Sequence, residues 1–143
     1  MVAEVRLPGG TQAIGAYDKF LAGIPFLSDR ERCTLTIAGD EVVDNLVTHG
    51  EVGQAGIHVR IRKTASCILF MALVESHASF REFAQRFKNG LLPGPRFNKH
   101  LGRWHGLGLT MCRNLCTRIV YRAGEYTDRV FLEFRTDPGS CTD

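Results

Sequence analysis

Apolar residues along the chain fall into stretches of two different periods. "VAEVRL" (residues 2–7) alternates apolar and polar, as a strand with one wet face does, and Pro8-Gly9-Gly10 ends it. Ile14, Tyr17, Phe20, Leu21 and Ile24 recur at helical spacing, which predicts an amphipathic helix over 11–24 stopped by Pro25. A second helix starts at Ser28, followed three residues later by Glu31. Each of these side chains can satisfy a free backbone amide at the other's end of the first turn. Gly50 is the natural stop of that helix.

Beyond it, "IHVRIR" (57–62) alternates and predicts a strand with one wet face. "CILFMALV" (67–74) is continuously apolar and predicts a strand buried on both faces, paired with the first as a hairpin. From 83 to 105 the texture changes: Lys88, Arg96, Lys99 and Arg103 stand among prolines and glycines, which predicts a long loop with some helix at its start. Leu109, Cys112, Leu115, Cys116 and Ile119 then mark a third helix, and "TRIVYR" with "RVFLEF" around Gly124 a closing hairpin. Hairpins outnumber strand–helix repeats. The expected fold is therefore α+β, a two-layer sandwich with about three helices on one face of a mixed, mostly antiparallel sheet. A chain of 143 residues fits a single domain over 1–143.

Composition narrows the function classes. A net charge of +3 is too mild to mark a nucleic-acid binder, and the strands lack interleaved aromatics and a dense Lys/Arg face, so nucleic acid is not an expected partner. No apolar run reaches the roughly 18 residues of a membrane span, and the first residues have no secretory pattern, so a cytoplasmic protein that does not meet the membrane is expected. Cys33, Cys67, Cys112, Cys116 and Cys141 are scattered without C-x-x-C spacing, which favours reduced thiols over a disulfide framework or a zinc site. His58, His77, His100 and His105 have no metal-ligand spacing either.

The chemistry gathers in two places. "GDEVVDNLVTHG" (39–50) sets Glu41, Asn45 and His49 four residues apart, hence on one line of a helix. Asparagine is a poor helix former, costing up to about 0.7 kcal/mol against alanine, so Asn45 among Val42, Val43, Leu46 and Val47 calls for a reason. A carboxylate beside a neutral amide oxygen suits a hydrated magnesium ion and an attacking hydroxyl; a solvated polar face is the plainer alternative. The second place is "GRWHGLGLTMC", where Gly102, Gly106 and Gly108 precede a helix and can offer bare amides to a phosphate.

In this order the two motifs resemble those of the histidine-kinase-like (GHKL) ATPases, and among them the small anti-sigma-factor serine kinases of the RsbW and SpoIIAB type; the resemblance covers nearly the whole chain. It implies a Bergerat-type sandwich with ATP and magnesium as cofactors. By the same resemblance Glu41 is the general base, Asn45 the magnesium ligand, and Gly102, Gly106, Leu107 and Gly108 the phosphate-binding backbone, with a lid over about 83–105. Its implied partners are a sigma factor, an anti-sigma-factor antagonist phosphorylated on serine, and a second copy of the chain. One box departs from the pattern. Where the family has Asp-x-Gly-x-Gly, this chain has "VESHASF", with Glu75 in place of the adenine-binding aspartate and His77 and Ser79 in place of the glycines. Two readings therefore stay open: an ATP-dependent serine kinase, or a relative that has lost nucleotide binding and acts by protein–protein interaction alone.

Overall fold

The computed structural model of the protein describes residues 1–50, 52, 55–75, 78–89, 96–98, 103–105 and 112–137. The chain begins with strand β1 (Val2–Leu7), passes a single 3-10 turn (Gly10–Gln12), and enters helix α1 (Ala13–Ala22) and the long helix α2 (Asp29–Gly50). Strands β2 (Ile57–Lys63) and β3 (Cys67–Glu75) follow, then helix α3 (Ala78–Lys88) and two three-residue strands, β4 (Arg96–Asn98) and β5 (Arg103–His105). After a helical turn at 112–115, strands β6 (Arg118–Arg122) and β7 (Thr127–Arg135) close the described chain. The five long strands form one sheet in the order β1-β2-β3-β7-β6, and every pairing in it is antiparallel. The α+β class expected from the sequence is the class observed; among the described residues every strand pairing is antiparallel, where a mixed, mostly antiparallel sheet was expected.

Period-two alternation sorts the sheet residues onto two faces. Ile57, Val59 and Ile61 of β2, Ile68, Phe70, Ala72 and Val74 of β3, and Val130, Leu132 and Phe134 of β7 are buried beneath the helices. The intervening residues form straight rows across all five strands on the opposite face. One such row runs Val2, Arg62, Leu69, Glu133, Arg118; the next runs Glu4, Arg60, Met71, Phe131, Val120; the third runs Arg6, His58, Leu73, Arg129, Arg122. The expectation that β3 is buried on both faces is corrected here. Its outward side chains Leu69, Met71 and Leu73 are half-buried, one in each row of the face opposite the helices.

Three other expectations need correcting. Ile119 fits the helical stripe of the preceding segment, but it lies in β6 opposite Leu132, and the helix described there is a single turn. The stretch 83–105, expected as a long loop with some helix at its start, opens with the second half of α3 as expected but also holds the β4–β5 hairpin. The first helix starts two residues later than expected, behind the 3-10 turn.

The helix layer is fastened by polar groups as well as by apolar packing. At the start of α2 the expected reciprocal cap is present: the Glu31 amide donates to Ser28 Oγ at 3.1 Å and the Ser28 amide to Glu31 Oε2 at 2.9 Å. Glu31 is 4% exposed and also accepts a 2.7 Å bond from Lys63 Nζ at the end of β2; that ammonium further donates to the Phe26 carbonyl at 3.0 Å. The Asp137 amide reaches Glu31 Oε1 at 3.2 Å, while Asp137 Oδ2 accepts from Ser28 Oγ at 2.7 Å. Arg32 donates to the carbonyl of Leu21 in the last turn of α1 and to those of Ile24 and Leu27 in the connection to α2. Where α1 crosses α2, the Tyr17 hydroxyl donates to the Leu35 carbonyl at 2.8 Å and its ring lies on Gly39, where any Cβ would collide with it. No helix among the described residues is long and apolar enough to cross a membrane.

Replacing Lys63 by alanine leaves the Glu31 carboxylate buried without its cation, and is expected to cost about 3–5 kcal/mol of unfolding free energy in urea titrations. Lys63→Met combined with Glu31→Gln should regain part of that loss, since the amide can still hold the Ser28 cap without a buried charge. A double variant no more stable than Lys63→Ala would remove the charge from this account.

Candidate functional site

Helix α2 packs against β3 with Leu35, Ala38, Val42 and Leu46 buried, and this sets the direction of everything else on it. Asn45 is adjacent to that stripe and is 7% exposed. Its carboxamide Nδ2 donates to the hydroxyl of Tyr121, on the buried face of β6, at 3.3 Å. That bond accounts for an asparagine inside a helix: the amide meets a partner brought to it from 76 residues away. With Nδ2 turned to Tyr121, Oδ1 lies on the other side of the carboxamide plane's fork and is the atom left to accept or ligate.

Glu41, one turn before Asn45, is half-buried, and its negative charge contributes to raising both the Cys112 thiol and the Tyr121 phenol. Burial is the larger cause in each case: burial first, then the charges of Cys116 and Glu41, together push Cys112 up to about 12. Tyr121 is raised well above an ordinary phenol, with the Asn45 bond pulling in the other direction. The Cys112 thiol donates to the Ala38 carbonyl at 3.4 Å, so the turn at 112–115 is fastened to α2 one turn before Glu41. Glu41, Asn45, Cys112 and Tyr121 thus share one patch formed by α2, this turn and β6.

Aromatic residues of α3 close the patch on one side. The ring of Tyr121 lies 6.1 Å from that of Phe80, 5.2 Å from Phe83 and 4.4 Å from Phe87, in tilted or edge-on arrangements. The Arg113 guanidinium stands over Phe87 at 5.1 Å from the ring centre. Between α3 and β6 lies a groove of about 660 Å³ whose lining includes Arg81, Phe87, Lys88, Tyr121 and Arg122.

The other expected site residues distribute as follows. Glu75 ends β3, paired with Thr127, and is exposed. Gly102, Gly106, Leu107 and Gly108 lie outside the described residues, as do His77 and the side chains of His49 and Ser79. Oxygen donors at Glu41 and Asn45 fit a hard cation such as magnesium in kind. Cys33, Cys67, Cys112 and Cys116 are free thiols. A scan of protein-family models matched none to this chain, and a search of curated proteins found no match.

Sequence reasoning missed Tyr121, whose place opposite Asn45 depends on the β6–β7 register, and the acid pair beside Glu41. Asp40 on α2 lies against Asp18 on α1, and Asp40 Oδ1 is buried without a hydrogen-bond partner among the described residues. Burial first, then the bond to Asp18 and its charge, raise the Asp40 carboxyl to about 8. The folded protein therefore holds this proton over a range in which the unfolded chain, with an ordinary aspartate near 3.9, has released it. The associated stability is complete below about pH 4 and is lost as pH rises towards 8. Urea midpoints of the wild-type protein should fall between pH 5 and pH 8, and those of Asp40→Asn should fall less. Equal slopes in the two proteins would exclude Asp40 as the source.

Proposed function

We propose that the chain is an anti-sigma-factor-type regulator on a histidine-kinase-like, Bergerat-type sandwich. In this reading it binds a sigma factor and, with magnesium and ATP, phosphorylates a serine of an anti-sigma-factor antagonist, as a homodimer in the cytoplasm. The observation that carries the proposal is the convergence on α2. Cys112, the first described residue after the Gly-Leu-Gly-Leu run, is bonded to Ala38 one turn before Glu41, beside the one amide of the helix that is held in place by a second element. Helix, buried strand, basic segment and glycine run follow in the order such a site requires.

The chemistry assigned to the chain's own residues is limited and specific. Glu41 accepts the proton of the serine hydroxyl as it attacks, which calls for a carboxylate that stays ionised. Asn45 offers Oδ1 to the metal while Tyr121 holds the carboxamide by its nitrogen, so the ligand atom is aimed before the ion arrives. The backbone amides of Gly102, Gly106, Leu107 and Gly108 receive the phosphates. Magnesium, when bound, neutralises charge on the transferring phosphoryl group, where most of the rate of such reactions originates.

A second reading is favoured by the other side of the same patch. Asn45 is almost covered, Phe80, Phe83 and Phe87 crowd Tyr121, and Glu75 is in open solvent rather than at the bottom of a base pocket. A domain with these features keeps the sandwich and its protein partners and dispenses with nucleotide.

Calorimetric titration with magnesium and a non-hydrolysable ATP analogue separates the two. Saturable binding weakened at least about tenfold by Asn45→Ala is expected for the kinase, with Glu41→Gln retaining binding and losing phosphoryl transfer. Absence of heat at millimolar nucleotide assigns the chain to the second reading.

A further inference from the structure

The face of the sheet turned away from the helices has a composition of its own. Its three rows hold Arg6, Arg60, Arg62, Arg118, Arg122 and Arg129 against Glu4 and Glu133. Six arginines minus two glutamates give a formal charge of +4 on these rows, more than the +3 of the entire chain. The sequence-based expectation that the strands lack a dense basic face is thereby corrected. It failed because the arginines come from four strands and meet only once the register is set.

Most of these charges are uncommitted. Glu4 takes Arg60 at 3.1 Å and His58 at 3.5 Å, and Arg6 donates to the Ala55 carbonyl at 2.7 Å. Arg62, Arg118, Arg122 and Arg129 have no acidic partner within ion-pair distance among the described residues. Between them runs an apolar strip of Leu69, Met71, Leu73, Phe131 and Val120, each half-buried. Leu69, Val120 and Phe131, with Arg118, Arg122 and Glu133, line a depression of about 250 Å³ in its middle. An apolar centre with methionine and an aromatic, rimmed by arginine and without lysine, is the make-up of a protein-binding surface.

We propose that this outer sheet face is a docking surface for an acidic, amphipathic segment of another protein, with its apolar ridge in the depression and its carboxylates on Arg62, Arg118, Arg122 and Arg129. The surface lies across the sheet from Glu41 and Asn45 and does not depend on the function proposed for them. Charge complementarity selects this occupant. A second copy of the chain placed face to face would oppose one arginine rim to another, which costs rather than stabilises. Single-stranded nucleic acid would need exposed rings for its bases to stack on, and the strip offers only Phe131 among aliphatic side chains. Guanidinium pairs with carboxylate in a two-point geometry that lysine lacks, which fits rows that carry six arginines and no lysine.

The test uses the full chain and a synthetic helical peptide with a leucine stripe flanked by glutamates, followed by fluorescence anisotropy. The expected result is saturable, salt-sensitive binding, weakened about tenfold or more by the pair Arg118→Glu and Arg122→Glu on the exposed edge strand. Lys19→Glu on α1 should leave it unchanged, and circular dichroism should show that both proteins keep their fold. A sister peptide with lysine in place of glutamate should not bind; equal binding of the two peptides would overturn the proposal. So would tighter binding of a single-stranded RNA oligomer than of the acidic peptide, which would assign the face to nucleic acid. Sedimentation showing a wild-type dimer that the Arg118→Glu, Arg122→Glu pair dissolves would assign it to a second copy and overturn the proposal equally.

Discussion

The ion pair between Lys63 and Glu31 joins three parts of the chain that are far apart in sequence. Lys63 ends β2, Glu31 belongs to the first turn of α2, and Asp137, whose amide binds the same carboxylate, follows β7. A charge pair so thoroughly removed from water is tolerated only when its remaining lone pairs and protons are used, and here the Ser28 cap, the Phe26 carbonyl and the Asp137 amide use them. Its contribution is positional. One end of a stiff 22-residue helix is fixed over the sheet, and at 1.5 Å per residue Asn45 then stands about 21 Å along the axis from Glu31. The meeting of Asn45 with Tyr121 follows from where α2 begins.

Much of this layout was legible in the sequence, and for identifiable reasons. The Ser28–Glu31 cap is a local pattern whose two hydrogen bonds form within four residues, so the start of α2 could be read directly. The β2–β3 and β6–β7 hairpins announced themselves by alternation and close turns. What could not be read depends on contacts across the chain. β3 passed for a strand buried on both faces because Leu69, Met71 and Leu73 are apolar on a side covered only in part by neighbouring long side chains. Ile119 sits four residues from Leu115, a spacing that suits a helix as well as a strand, and its pairing with Leu132 decides the matter. The same holds for the candidate site: Glu41 and Asn45 are neighbours by helical spacing, whereas Tyr121 and the Asp18–Asp40 pair are neighbours only by packing.

The sheet serves two faces with different physical chemistry. On the inner side, aromatic and aliphatic packing surrounds a few polar groups, among them the bonded Tyr17, Asn45, Glu31 and Lys63 and the Asp40 oxygen that has no partner among the described residues. On the outer side, exposed arginines flank an apolar strip whose leucines and phenylalanine are half-buried. Alternation along each strand makes this division automatic: a residue's parity determines whether it belongs to the core and site or to the outer surface.

The notch at Gly39 has a mechanical consequence. Tyr17 fills it completely and is bonded to Leu35, so α1 can neither slide along α2 nor rotate on it without breaking a buried contact. The two helices behave as one lever. A protein that grips the exposed side of α1 therefore has its hand on the segment that carries Glu41, without touching it.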